Sequence, residues 1–265
     1  MEIAERHTEV AGLEVHWRQA GSAPILYLHG VPTASFDWDP LLERIGGVAP
    51  DLPGFGRSAK PSTFDYSIAG YDAFLEAFAA HAGLDRFSLV VHDWGVVGLA
   101  LAQRFPERIE RLLMFTSVPF LPGYRWHRIA RGWRTPVLGE LMMGFTTRLA
   151  LRRALPRELA DRSWKCLDQG TQRAILRLYR ASPPDVLERA GERLGELRCP
   201  ALVLWPTDDP YTPERFGRAY ADALGGPAEL ELVRAGHWTW HERPELVERA
   251  AIFLAGGGAA EPGVG

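Results

Sequence analysis

Phe87-Ser88-Leu89-Val90-Val91-His92-Asp93-Trp94-Gly95-Val96-Val97-Gly98 decides how the rest of the chain is read. The apolar run at 87–91 has the composition of a short strand buried on both faces, and a helix is expected from about Trp94 with almost no loop between. A strand that turns directly into a helix bends sharply, and the residue at the apex is strained and projects its side chain outward. Gly95 and Gly98 leave room for helix and strand to approach. In the common G-x-S-x-G form of this elbow the apex is serine. Here it is Asp93, and the expected chemistry changes with it.

Working outward, strands are expected at 7–10 and 13–19, joined at Ala11-Gly12, and then at 24–28, 48–50, 112–115, 201–205 and 230–233. Helical patterns fall at 36–44, 71–81, from the elbow to 105, 215–223 and 244–254. Strands alternating with helices predict an α/β fold with a mostly parallel central sheet. The alternation stops at Pro119. From there to about Arg198 only helical stretches occur, punctuated by Pro122, Pro136, Pro156, Pro183 and Pro184. The expected organisation is a core at 1–118, a helical cap at 119–198, the rest of the core at 199–254, and a Gly/Ala-rich disordered tail at 255–265.

Composition narrows the partners. A formal net charge of -3 over 265 residues gives no basic field to hold nucleic acid. Residues 120–198 carry 16 basic and 8 acidic side chains, which reads as a solvated, Arg-rich helical surface. The N-terminus lacks the basic and apolar regions of a signal peptide, and no run approaches the ~20 apolar residues of a membrane span. A cytoplasmic protein with no membrane partner is expected, as a monomer or homodimer. Cys166 and Cys199 have no metal-ligand spacing, so no metal or cofactor is expected and a reduced compartment is the default.

Three motifs now carry a resemblance. His29-Gly30-Val31-Pro32, Asp51-Leu52-Pro53-Gly54-Phe55-Gly56-Arg57-Ser58 and His92-Asp93-Trp94-Gly95 together resemble the α/β-hydrolases of the epoxide hydrolase and haloalkane dehalogenase branch, and the resemblance spans the chain. It implies the α/β-hydrolase fold with an inserted helical cap, and a chain order of nucleophile, acid and histidine. Asp93 comes first. Thr207-Asp208-Asp209-Pro210 offers the acid, with Asp209, directly before the proline, preferred to Asp208. Gly236-His237-Trp238 offers the base. The backbone N–H groups of Val31 and Trp94 are the expected oxyanion donors.

A carboxylate needs no base before it attacks. On an ester it would form a reactive anhydride; on a saturated carbon bearing a leaving group it forms a stable alkyl ester. The expected substrate is therefore a small, apolar, electrophilic molecule, with water as the second reactant. His237, supported by Asp209, would activate that water. An epoxide leaves as an alkoxide and needs an acid. Leu178-Tyr179-Arg180-Ala181 resembles the family's cap segment carrying such a tyrosine, and helical spacing sets Ile175, Leu178 and Tyr179 on one face. The second donor stays open between Tyr124 and His127. A halide instead needs N–H donors. Trp94 matches the dehalogenases, which often place Asn where this chain has Val31; Trp126, Trp133 or Trp164 would have to substitute. Epoxide hydrolysis to a vicinal diol is the expectation, haloalkane dehalogenation the alternative, and a non-catalytic binding protein the remote one. Ser88 lies within the strand, so a serine esterase is disfavoured.

Overall fold

The computed structural model describes residues 1–256. Eight strands form one sheet: β1 (Ala4–Val10), β2 (Leu13–Ala20), β3 (Ile25–Leu28), β4 (Gly47–Pro50), β5 (Phe87–Asp93), β6 (Ile109–Ser117), β7 (Ala201–Pro206) and β8 (Ala228–Val233). Their spatial order is β1-β2-β4-β3-β5-β6-β7-β8. β2 pairs antiparallel with β1 and β4, and every other pairing is parallel. The apolar runs become the central strands because helices cover both faces there: every residue of β3, β5 and β7 is buried. Each large apolar side chain so buried contributes ~1.5–3 kcal/mol. β1, at the edge, is largely exposed instead, with only Val10 buried.

Helices α1 (Asp39–Ile45), α2 (Ile68–His81) and α3 (Gly98–Arg104) follow β3, β4 and β5. Between β6 and β7 the chain forms α4 (Arg128–Arg134), α5 (Leu138–Gly144), α6 (Arg148–Ala154), α7 (Arg157–Cys166), α8 (Gln169–Ala181) and α9 (Pro184–Ala190), with no strand among them. The last helices are α10 (Arg215–Ala223), α11 (Thr239–Glu242) and α12 (Glu245–Leu254). Side chains of α2, α3 and α10 join one core, and those of α1, α11 and α12 join the other. The inserted helices are tied down by Arg162 on Asp39 and Lys60 on Asp168, each at 2.8 Å.

Most differences from the expected elements are at their ends. The elbow strand runs two residues further, to Asp93, because it pairs with β6 as far as Ser117. Ala255 and Gly256, placed by sequence in a disordered tail, instead close α12: their N–H groups reach the carbonyls of Ala251 and Phe253. The remainder of that tail lies outside the described residues.

Candidate active site

Asp93 occupies the apex of the elbow with φ 47° and ψ −118°, a strained conformation for a non-glycine residue. A short 3₁₀ turn, Trp94–Val97, follows at once and leads into α3. Two glycines make the bend possible. A Cβ on Gly95 would stand 2.0 Å from the Leu28 carbonyl oxygen on the neighbouring strand, and one on Gly30 would stand 2.5 Å from Asp93 Cβ. The elbow is thus held against the loop after β3, and the Val31 N–H donates to Asp93 Oδ2 at 2.8 Å. The Trp94 backbone N–H lies near enough to the same carboxylate to lower its pKa. Both expected donors converge on one carboxylate.

His237, in the loop after β8, sets Nε2 3.8 Å from Asp93 Oδ1 and Nδ1 2.7 Å from Asp209 Oδ2. Asp209, rather than Asp208, is the partner. Its carboxylate also accepts from the Thr116 hydroxyl at 2.8 Å, the Thr212 hydroxyl at 2.6 Å and the Tyr211 N–H at 2.7 Å. Burial would raise its pKa, but His237 and these donors outweigh burial and hold Asp209 well below the usual carboxylate range. Burial would lower the His237 pKa; the Asp209 charge reverses that, and the net direction is upward. Asp93 is raised, by burial above all, against the pull of His237 and the two N–H donors. His92 donates from Nε2 to the His237 carbonyl at 3.1 Å, fixing the loop, and burial keeps it neutral.

These groups open into a cavity of about 260 Å³ roofed by the inserted helices. Of the expected residues, Val31, Tyr124, His127, Trp133, Tyr179, Asp93 and His237 all line it. Trp164 does not: α7 turns it outward, 39% exposed. Leu178 is buried among cap and core side chains while its helix neighbours Ile175 and Tyr179 face the cavity. Trp94 lies under this wall, stacked on Trp126 at 5.7 Å and edge-on to Tyr179 at 5.2 Å. The Trp126 indole N–H is committed to the Ser182 carbonyl, whereas the buried Trp94 indole N–H makes no hydrogen bond. The Trp94 N–H nevertheless lies near enough to the Tyr179 oxygen to act on its charge. His127 caps α4 through Nδ1, and burial pushes its pKa down to about 4, so it is neutral at pH 7.

The tyrosines divide into two groups. Tyr27, Tyr66, Tyr71 and Tyr220 all donate their hydroxyls to backbone carbonyls. Tyr124, Tyr179 and Tyr211 line the cavity and make no such bond among the described residues. Burial, then the Asp93 charge, raises the pKa of Tyr124 and Tyr179 far above the ordinary phenol range, so both stay protonated.

Sequence reading passed over Thr116, Thr212, Tyr211 and Asp37. The last is fully enclosed, and burial raises its pKa to about 8. Thr33 Oγ1 bonds both the Gly30 carbonyl and Asp37 Oδ2. The single Thr33 hydroxyl proton serves these two acceptors, and its bond to Asp37 pulls that pKa down without offsetting burial. The chain Asp37, Thr33, Gly30 carbonyl thus ends on the peptide whose N–H holds Asp93. In sequence, Asp37 beside Phe36 and Trp38 at a helix start looks like an ordinary solvent-facing carboxylate; no local signal marks it.

Comparisons with known proteins give the family and the fold. The alpha/beta hydrolase family matches residues 25–250. A haloalkane dehalogenase of Mycolicibacterium paratuberculosis is 30% identical over 89% of this chain and 86% of its own length. One from Mycobacterium marinum is 31% identical, covering 91% and 89%. Among solved structures, haloalkane dehalogenase DbeA from Bradyrhizobium elkani superposes with a TM-score of 0.82 at 24% identity, covering 96% of this chain and 98% of that one. Epoxide hydrolase CorEH superposes at 0.81 with 21% identity over 96% and 98%. At these identities the two structures speak for the fold.

Proposed function

The chain belongs to the alpha/beta hydrolase family, on the branch that holds haloalkane dehalogenases and epoxide hydrolases, and from that premise we propose that it hydrolyses small epoxides to vicinal diols through an ester on Asp93. The observation that carries this reading is the pair of uncommitted, protonated phenols, Tyr124 and Tyr179, in the cavity wall within the field of Asp93. An epoxide oxygen needs such donors, and a halide does not.

With Oδ2 held by the Val31 N–H, Oδ1 is the attacking atom. It forms a bond to one epoxide carbon while that carbon's bond to oxygen breaks, and the oxygen takes a proton from Tyr179, assisted by Tyr124. His237 Nε2, too far from Oδ1 for a hydrogen bond, instead takes a proton from water that attacks the Asp93 carboxyl carbon. The Val31 and Trp94 N–H groups stabilise the resulting oxyanion. Collapse releases the diol, whose alkoxide is protonated by His237, and the proton freed as Asp93 ionises returns to the phenolate. Asp209 keeps the His237 tautomer correct and supports its transient charge.

Haloalkane dehalogenation is the second reading. It is favoured by the buried, unpartnered Trp94 indole N–H and by the relatives named above. Val31 has no side-chain donor and the Trp126 N–H is spent, so Trp133 would have to supply the second halide contact.

The test is intact-mass spectrometry of His237→Gln after exposure to styrene oxide or 1-bromobutane. The variant keeps the attack and loses the hydrolysis, so an adduct should accumulate on Asp93. An epoxide adduct alone supports the first reading, and a bromide adduct alone the second. A folded variant that forms neither adduct would count against Asp93 as a nucleophile toward either class.

A further inference from the structure

Six of the large apolar side chains that reach solvent lie in one stretch of the insertion: Ile129, Val137, Leu138, Leu141, Phe145 and Leu149. Phe145 is 80% exposed, Val137 72% and Leu149 60%. Exposed apolar residues are ordinarily scattered, and a concentration of them marks an interaction surface. Val137, Leu141 and Phe145 follow at four-residue intervals along α5 and its flanks, so they share a face. Met142 and Met143 of the same helix line the cavity. The apolar face is therefore the outer surface of the roof over Asp93.

Charge identifies what would cover it. Residues 121–157 contain eight arginines and a single acid, Glu140, in a chain whose net charge is -3. Glu140 is spent on Arg180 at 2.7 Å. Arg125, Arg128, Arg131, Arg153 and Arg157 are exposed and make no ion pair among the described residues. A second copy of the chain is a poor partner, because a two-fold contact would bring this cationic surface against itself. Apolar side chains set among unpaired guanidinium groups suit the headgroup region of an anionic bilayer. There the former enter the acyl boundary and the latter meet lipid phosphates.

We propose that the outer face of α4 to α6 docks on anionic membrane surfaces. The protein would lie on the bilayer, since among the described residues no helix is long and apolar enough to cross it. The sequence-based expectation of no membrane partner rests on that missing span, which a surface-lying mode does not require.

The test is cosedimentation of the full chain with vesicles of phosphatidylcholine alone, or of phosphatidylcholine mixed equally with phosphatidylglycerol. Binding is expected to the mixed vesicles only, with release in high salt. Phe145→Asp with Leu149→Asp, and separately Arg131→Glu with Arg153→Glu, should each weaken binding about tenfold or more. Neither pair should change the melting temperature or the turnover of a water-soluble substrate. Absence of binding to the anionic vesicles, or binding that neither pair weakens, would overturn the proposal. So would sedimentation velocity showing a dimer that the Phe145→Asp pair dissociates. No substrate is needed, so the result is independent of the hydrolytic reading.

Discussion

Asp37→Asn should change how stability depends on pH, and the size follows from the structure. In the unfolded chain Asp37 titrates at its ordinary value of 3.8, and in the native state at about 8. A folded pKa above the unfolded one means that the native state holds the proton more tightly. This contribution to stability is fully present below about pH 4 and is lost as pH rises toward 8. Each unit in that window costs about 1.4 kcal/mol, so by pH 7 the wild type has lost about 4 kcal/mol through this one group. That is a large share of the ~5–15 kcal/mol of a typical domain. Asparagine is isosteric, does not titrate, and its Oδ1 can still accept from Thr33 Oγ1. Urea unfolding followed by tryptophan fluorescence, run from pH 4 to pH 8 on both proteins, isolates the effect as a difference, because the other groups around it, Asp39, Asp93, Arg162, His237 and His241, are common to both. The two curves should meet near pH 4, with the variant about 4 kcal/mol more stable at pH 7. A difference that does not vary with pH would refute the assignment of a neutral, buried Asp37.

Three further outcomes are expected. Tyr179→Phe should lower kcat on an epoxide by about 10²-fold or more through loss of the proton donor, with Tyr124→Phe less severe, as read by initial rates of diol formation. Unchanged rates in both variants would remove the epoxide reading. In Asp209→Ala, His237 loses the charge that raises its pKa, so the acid limb of the hydrolysis rate, which falls as His237 is protonated, should move to lower pH while its plateau drops. A limb that stays in place would mean that Asp209 does not control His237. Gly30→Ala should cost about 10²-fold or more in ester hydrolysis by forcing the Val31 N–H away from Asp93, measured by single-turnover decay of the adduct. A wild-type decay rate would show that the loop relaxes around the added methyl.

Strand and helix alternation, the elbow at Asp93 and the order Asp93, Asp209, His237 were legible in the sequence, because each depends on local chain properties. Burial on both faces requires apolar runs, tight bends require glycine, and the motifs are contiguous. The choice of Asp209 over its neighbour Asp208 came from the resemblance, whose pattern sets the acid directly before a proline. What the tertiary structure decided are properties of packing between distant segments. Helical spacing puts Leu178 and Tyr179 on one face, yet the cavity and the cap interior divide that face between them. Trp133 and Trp164 look alike in sequence, and only the packing of α4 and α7 turns one inward and the other out. Asp37 reads as a surface carboxylate until Trp240, 203 residues away, donates its indole N–H to the Asp37 carbonyl and helps close the site over it. A side chain's ionisation and its commitment to a hydrogen bond are set by neighbours that the chain brings together only on folding, and no local pattern records them.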